Sequence, residues 1–202
     1  MRVSTVDGLT SRRLGIPGPL ERGRLEEAQM AALRATVLHA KAGSPRYRER
    51  LAGVAAETLR CPADLARLPF VTGADVAAFG QRMVCVPQGE VARIVTLQTS
   101  GSTGTPKRLH FTRDDLDGTL DFFLHGMLNL AGQEDRVLAL LPFRQPDSTG
   151  DLLIRALTGG GVHCAGLWPP VDAGELAQFI AAEKYSCVVG LPQHLLALSE
   201  TL

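Results

Sequence analysis

The last third of the chain constrains the fold most. Three short apolar runs, "RVLALL" (136–141), "VHCAG" (162–166) and "SCVVG" (186–190), are separated by stretches with helical spacing. Runs of this length, rich in Val, Leu and Ala, read as buried strands. "DLLIRAL" (151–157) supplies one intervening helix, closed by the triple glycine 159–161. Asp172 caps a second, whose inward face is Leu176, Phe179 and Ile180, and "PQHLLALSE" opens another after the third run. Strands alternating with helices need crossovers, so the strands run parallel with right-handed connections. Such strands are covered on both faces, which is why they read as plain apolar runs. The expected class is α/β. Three central strands make a small doubly wound sheet, and the expectation is an incomplete domain within these 202 residues.

The upstream half reads differently. Residues 1–20, rich in Gly, Pro and Arg, are expected to form an irregular arm. From Glu21 to Ala42, Leu25, Met30, Leu33, Val37 and Ala40 recur on one helical face. Ser44 can cap the next helix with Pro45 at its first position, turning Tyr47 and Leu51 inward. "CPADLARLP" predicts a short helix ended before Pro69, and "TGAD" (72–75) a capping box with Asp in the place of Glu. The charges of "RYRER" are expected to lie on a solvated helix face. Val91–Leu97 and Arg108–Phe111 are β-prone, and "TRDD" (112–115) starts a helix carrying Leu116, Leu120, Phe123, Met127 and Leu130. The expected organisation is an arm at 1–20, a helical segment at 21–85, and an incomplete α/β nucleotide-binding subdomain at 86–202, with a β-hairpin loop preceding the β-α-β-α-β sheet.

Between the two β-prone segments lies "TSGSTGTPK", Thr99–Lys107. It is too rich in small hydroxyls and glycine to build a core. Glycines permit the backbone angles at which successive amides converge on an anion. Hydroxyls add donors, and Lys107 adds a mobile positive charge. This is not a Walker A loop. Pro106 stands where the second glycine would be, and a strand follows instead of a helix. The loop must work with its own amides, hydroxyls and lysine.

The string resembles the phosphate-binding signature of the adenylate-forming enzymes, the AMP-dependent synthetases and ligases. Among these are acyl-CoA synthetases, luciferases and peptide-synthetase adenylation domains. The match is complete over nine positions. "SPRYRERLAG" with "DLARLPFVTGADV" is similar to the N-terminal segment of phenylacetate–CoA ligases. "LPFRQPDSTGDLLIRALTGGGVHCAG" is similar to the family's next block, a loop and helix bordering the acyl pocket. The likeness runs from about 25 to 200. It implies part of an acyl-CoA synthetase-like large domain. The reaction it implies joins ATP and a small carboxylate, an aryl acid among the options, into an acyl-adenylate and pyrophosphate. The acyl group then passes to a thiol such as coenzyme A.

By the resemblance, Thr99, Ser100, Gly101, Ser102, Thr103, Gly104, Thr105 and Lys107 hold the β- and γ-phosphates. Mg²⁺ bridges phosphate oxygens, and Lys107 neutralises charge. Pro146, Asp147, Ser148, Thr149 and Gly150 border the carboxylate substrate. The family also uses a Thr-Glu motif, a ribose-binding Asp and a late catalytic lysine. These lie downstream of the matched region, so the chain alone is not expected to adenylate. The alternative is a truncated relative that binds a nucleotide or a partner without turnover.

Independently of the likeness, "QPDSTGD" follows a buried strand, where parallel sheets gather their ligands. Asp147, Ser148 or Thr149 could equally cap the next helix. Trp168 can pack on a ligand or tuck against the sheet. His125 and His163 read as structural, His110 could approach phosphate or face solvent, and His39 and His194 carry no signal. No pair has metal spacing. Cys61, Cys85, Cys164 and Cys187 form no CxxC and read as free thiols in a reducing cytoplasm. Zero net charge offers no field for nucleic acid, and no run is long enough to span a membrane. Exposed sheet edges would favour a homodimer or a complementary chain.

Overall fold

The computed structural model describes residues 4–97 and 107–201. The chain divides into two compact units, Ser11–Asp115 and Met1–Thr10 with Leu116–Leu202.

In the first unit, helix α2 (Arg22–Gly43) buries Met30, Val37 and Ala40 against Leu51, Ala56 and Leu59. Ser44 ends α2 and starts α3 (Pro45–Arg50). Its hydroxyl accepts from the Tyr47 amide at 3.1 Å and donates to the Arg82 carbonyl at 2.6 Å. One fully buried residue thus joins a helix start to the segment 38 positions on. "CPADLAR" forms a 3₁₀ helix, Pro62–Arg67. Helix α4 (Gly73–Phe79) opens with the expected capping box: the Thr72 hydroxyl accepts from the Asp75 amide, and Asp75 accepts from the Thr72 amide at 2.9 Å. Strands β1 (Val91–Leu97) and β2 (Lys107–Thr112) pair antiparallel.

Of the "RYRER" arginines, Arg48 is exposed as expected, and Arg46 and Arg50 do not sit on a solvated face. Arg50 and Arg46 reach Asp75 at 3.1 and 3.5 Å, and the Arg46 guanidinium lies 4.1 Å from the centre of the Phe79 ring. The reason is local: the Asp75 carboxylate, held by its own capping box, is a fixed anion facing α3. Those hydrogen bonds from Thr72, then the arginines, hold its carboxyl below the usual range.

In the second unit, β3 (Arg136–Leu140) lies between β4 (His163–Gly166) and β5 (Cys187–Gly190), both parallel to it. Val137 and Ala139 face a core with Leu153 and Leu157 of α6 (Thr149–Gly159) and Phe123, Leu124 and Met127 of α5 (Arg113–Met127). Leu138 and Leu140 face a second core with Leu176 of α7 (Ala173–Ala182) and Leu198 of α8 (Pro192–Ser199). This is the expected parallel sheet covered on both faces. Asp172 caps α7 by accepting from the Gly174 amide at 2.8 Å.

A second expectation fails. Residues 1–20 are not all irregular, because Thr5–Leu14 form helix α1. Ser4 accepts from the Val6 amide, and Asn129 accepts from the Ser4 hydroxyl and the Thr5 amide at 3.1 and 3.2 Å. Leu9 is its one buried side chain, so no apolar stripe announced the helix.

Ser44→Ala removes a cap and the bond to the Arg82 carbonyl. It should destabilise the chain by about 2 kcal/mol. Urea unfolding at constant m-value measures this, and an unchanged midpoint would contradict the role given to Ser44.

Candidate functional site

Residues 98–106, which hold Thr99–Thr105 of the string, lie outside the described residues, and the strands on either side are described. Leu97 and Lys107 are partners across the β1–β2 ladder. The chain therefore leaves β1 and enters β2 at paired positions, between two strands, as the Walker A exclusion required. Lys107 has a defined seat. A β-carbon added to Gly73, the first residue of α4, would lie 3.0 Å from both Lys107 Cε and Nζ. The bare backbone of Gly73 thus leaves room for the tip of the lysine.

In the second unit, the carboxyl ends of the three parallel strands lead into segments that carry polar and aromatic groups. After β3, Asp147 adopts a left-handed conformation (φ 56°), which Asp tolerates better than most residues. Its amide donates to Asp151 at 2.7 Å. Arg155 bridges both carboxylates, at 2.8 Å to Asp147 and 3.2 Å to Asp151. The charges of "QPDSTGD" are thus engaged with one another. Ser148 takes the N-cap position of α6 and makes no side-chain capping bond. Its Oγ is shielded from solvent without a hydrogen-bond partner among the described residues. Thr149 opens α6. Gly150 is buried, and a β-carbon there would lie 2.5 Å from the Pro142 carbonyl oxygen, so the loop closes on the helix only with glycine.

After β4, Trp168 packs against His194, which follows β5 in α8, with ring centres 5.7 Å apart and planes tilted by 58°. The Trp168–Pro169 peptide bond is cis. The His194 Nδ1 is likewise shielded and without a partner among the described residues. Buried polar atoms ordinarily find partners. Ser148 and His194 therefore stand out, and both follow carboxyl ends of a parallel sheet, where α/β folds place ligands. His194 carried no signal in the sequence. The usable clue was its place just after the third apolar run.

Lys107 belongs to one compact unit and Pro146–Gly150 to the other. His110 pairs with Ile94 and lines a hollow of the first unit. Among the described residues, no group of three or more His, Cys, Asp or Glu side chains could hold a metal ion. Likewise among them, no helix is long and apolar enough to cross a membrane.

All four cysteines are free thiols. Burial, then the neighbouring Cys187, pushes the Cys164 thiol up to about 11, which leaves it protonated and inert at neutral pH. At pH 8, iodoacetamide should modify exposed Cys61 first and Cys164 last, as read by peptide mass spectrometry. Early loss of Cys164 would contradict its burial in the sheet.

No protein-family model matches the chain, and no curated protein matches it. Solved structures do. A 2-hydroxyisobutyryl-CoA ligase in the postadenylation state with 2-HIB-AMP matches with a TM-score of 0.73 at 18% identity. The match covers 90% of this chain and 40% of that one. An open conformation with 2-HIB-AMP and CoA matches with a TM-score of 0.72 at 19% identity, covering 90% of this chain and 44% of that one. The same ligase in its thioesterification state matches at 0.73 and 20% identity, again covering 90% and 40%. The chain thus spans under half the length of the structures it matches. Over that span, it has the α/β fold of an adenylate-forming CoA ligase.

Proposed function

We propose that the chain supplies the phosphate-binding part of an ATP-dependent, AMP-forming activation of a small carboxylate, with coenzyme A as the acyl acceptor. The observation that carries this is the string Thr99–Lys107 between paired strands, on a chain with the fold of a CoA ligase. In this reading Thr99–Thr105 offer amides and hydroxyls to the β- and γ-phosphates of ATP. The Lys107 ammonium leaves Gly73 to neutralise their charge. Bound Mg²⁺ would supply further neutralisation of the phosphates. Attack of a carboxylate on the α-phosphorus needs positioning and charge stabilisation more than covalent help from the protein.

The carboxylate is assigned to the carboxyl edge of the parallel sheet, beside Pro146–Gly150. There the Ser148 hydroxyl and the His194 ring have unused hydrogen-bonding capacity, and Trp168 offers an apolar face. An aryl acid is compatible with that wall. The setting for such chemistry is the cytoplasm, where ATP and coenzyme A are present.

Isothermal titration of the 202-residue chain with ATP–Mg²⁺ tests the reading. Saturable binding is expected, weakened about tenfold or more in Lys107→Ala by loss of a charge-assisted contact. Equal affinities would remove Lys107 from the site. The same chain is expected to release no carboxylate-dependent pyrophosphate. Release would show that it carries a complete reaction centre.

Strands β4 and β5 each pair on one side only among the described residues. Unpaired edges recruit further strands. The 202-residue chain should therefore self-associate or pair with a complementary chain, and light scattering should find a dimer of the isolated chain. A monodisperse monomer would contradict this.

A further inference from the structure

The segment assigned to the carboxylate carries acids of its own. Asp147 and Asp151 flank the start of α6, with Ser148 at the N-cap between them. Two neighbouring carboxylates repel each other, so a cation must hold them together. Arg155 is that cation. It lies one turn beyond Asp151 on α6, and helical side chains lean toward the N-terminus, so its guanidinium reaches back over the first turn. A single nitrogen, Nη1, donates to Asp147 at 2.8 Å and to Asp151 at 3.2 Å. Asp151 also accepts from the Asp147 amide at 2.7 Å. The three residues thus close a ring that grips Asp147 at both its amide and its carboxylate. Asp147 needs such a grip, because its left-handed backbone (φ 56°) persists only where the surroundings hold it. The turn beyond it is closed by its own amides. Ser148 donates to the Gln145 carbonyl at 3.1 Å, and Gly150 to the Pro142 carbonyl at 2.9 Å. In this turn the Ser148 hydroxyl is enclosed and has no partner among the described residues.

We propose that Arg155 is a positioning residue for the carboxylate substrate: through Asp147 it fixes the turn that presents the Ser148 hydroxyl. This rests on the assignment of the carboxylate to Pro146–Gly150. Arg155 acts through the two acids, to which its Nη1 is committed, and not by touching the ligand.

Two measurements on the 202-residue chain test this role. Amide hydrogen exchange without ligand reads the ring, and a ligand-observed NMR titration with benzoate reads the wall. In Arg155→Met, exchange at residues 145–151 should quicken, and benzoate should bind about tenfold more weakly, the weight of one lost hydrogen bond. Ion pairs this exposed add little to global stability, so the urea midpoint should stay close to that of wild type. Arg155→Lys keeps one cationic nitrogen for the two acids and should recover most of both effects. Unchanged exchange in Arg155→Met would overturn the ring. Faster exchange with unchanged benzoate affinity would overturn its role in binding, and so would an affinity that falls only in step with the urea midpoint. If wild type shows no saturable benzoate binding, the carboxylate does not belong at this wall and the role of Arg155 falls with it. Exchange would still show whether the ring exists, so the two failures are distinct.

Discussion

Complete burial of β3 is the constraint on which the second unit depends. Val137, Ala139 and Leu140 are fully buried and Leu138 nearly so. With successive side chains on opposite faces, the strand feeds two cores at once. A one-residue slip would exchange the two sets, putting Leu where Ala139 now sits against α6. The neighbouring strands therefore have their register set by packing, and so do the turns that leave their carboxyl ends. Ser148, Trp168 and His194 owe their places to that register.

The first unit relies on fewer, polar ties. Ser44 connects a helix start to a distant carbonyl, and Asp75 gathers a capping box and two arginines. Both are fixed donors and acceptors, so the segment around α4 has a defined position relative to β2. That gives the tip of Lys107 a seat over Gly73. A lysine seated on such a scaffold, with its charge on a mobile stem, is suited to follow a phosphate.

Much of this fold was legible in the sequence because it rests on local rules. The strand–helix alternation, the Ser44 cap and the Thr72 and Asp172 caps each need only neighbouring residues, and each appears in place. What was not legible depends on distant partners. Helix α1 is anchored through Asn129, more than a hundred positions away. Arg46 and Arg50 look like surface charge until Asp75 is brought opposite them. His194 gains interest only once Trp168 packs against it and its Nδ1 is enclosed. Of the site, the string Thr99–Lys107 was evident as a motif. Its context, two paired strands and a glycine under the lysine, required the fold.

The central claim is that the segment between β1 and β2 holds a polyphosphate. Hydrogen–deuterium exchange of the 202-residue chain, with and without ATP–Mg²⁺, addresses that claim at the backbone. Slowed exchange is expected mainly at residues 98–107, where amides would bind phosphate oxygens. Unchanged exchange across 98–107 at saturating ATP–Mg²⁺, or protection only elsewhere, would contradict it.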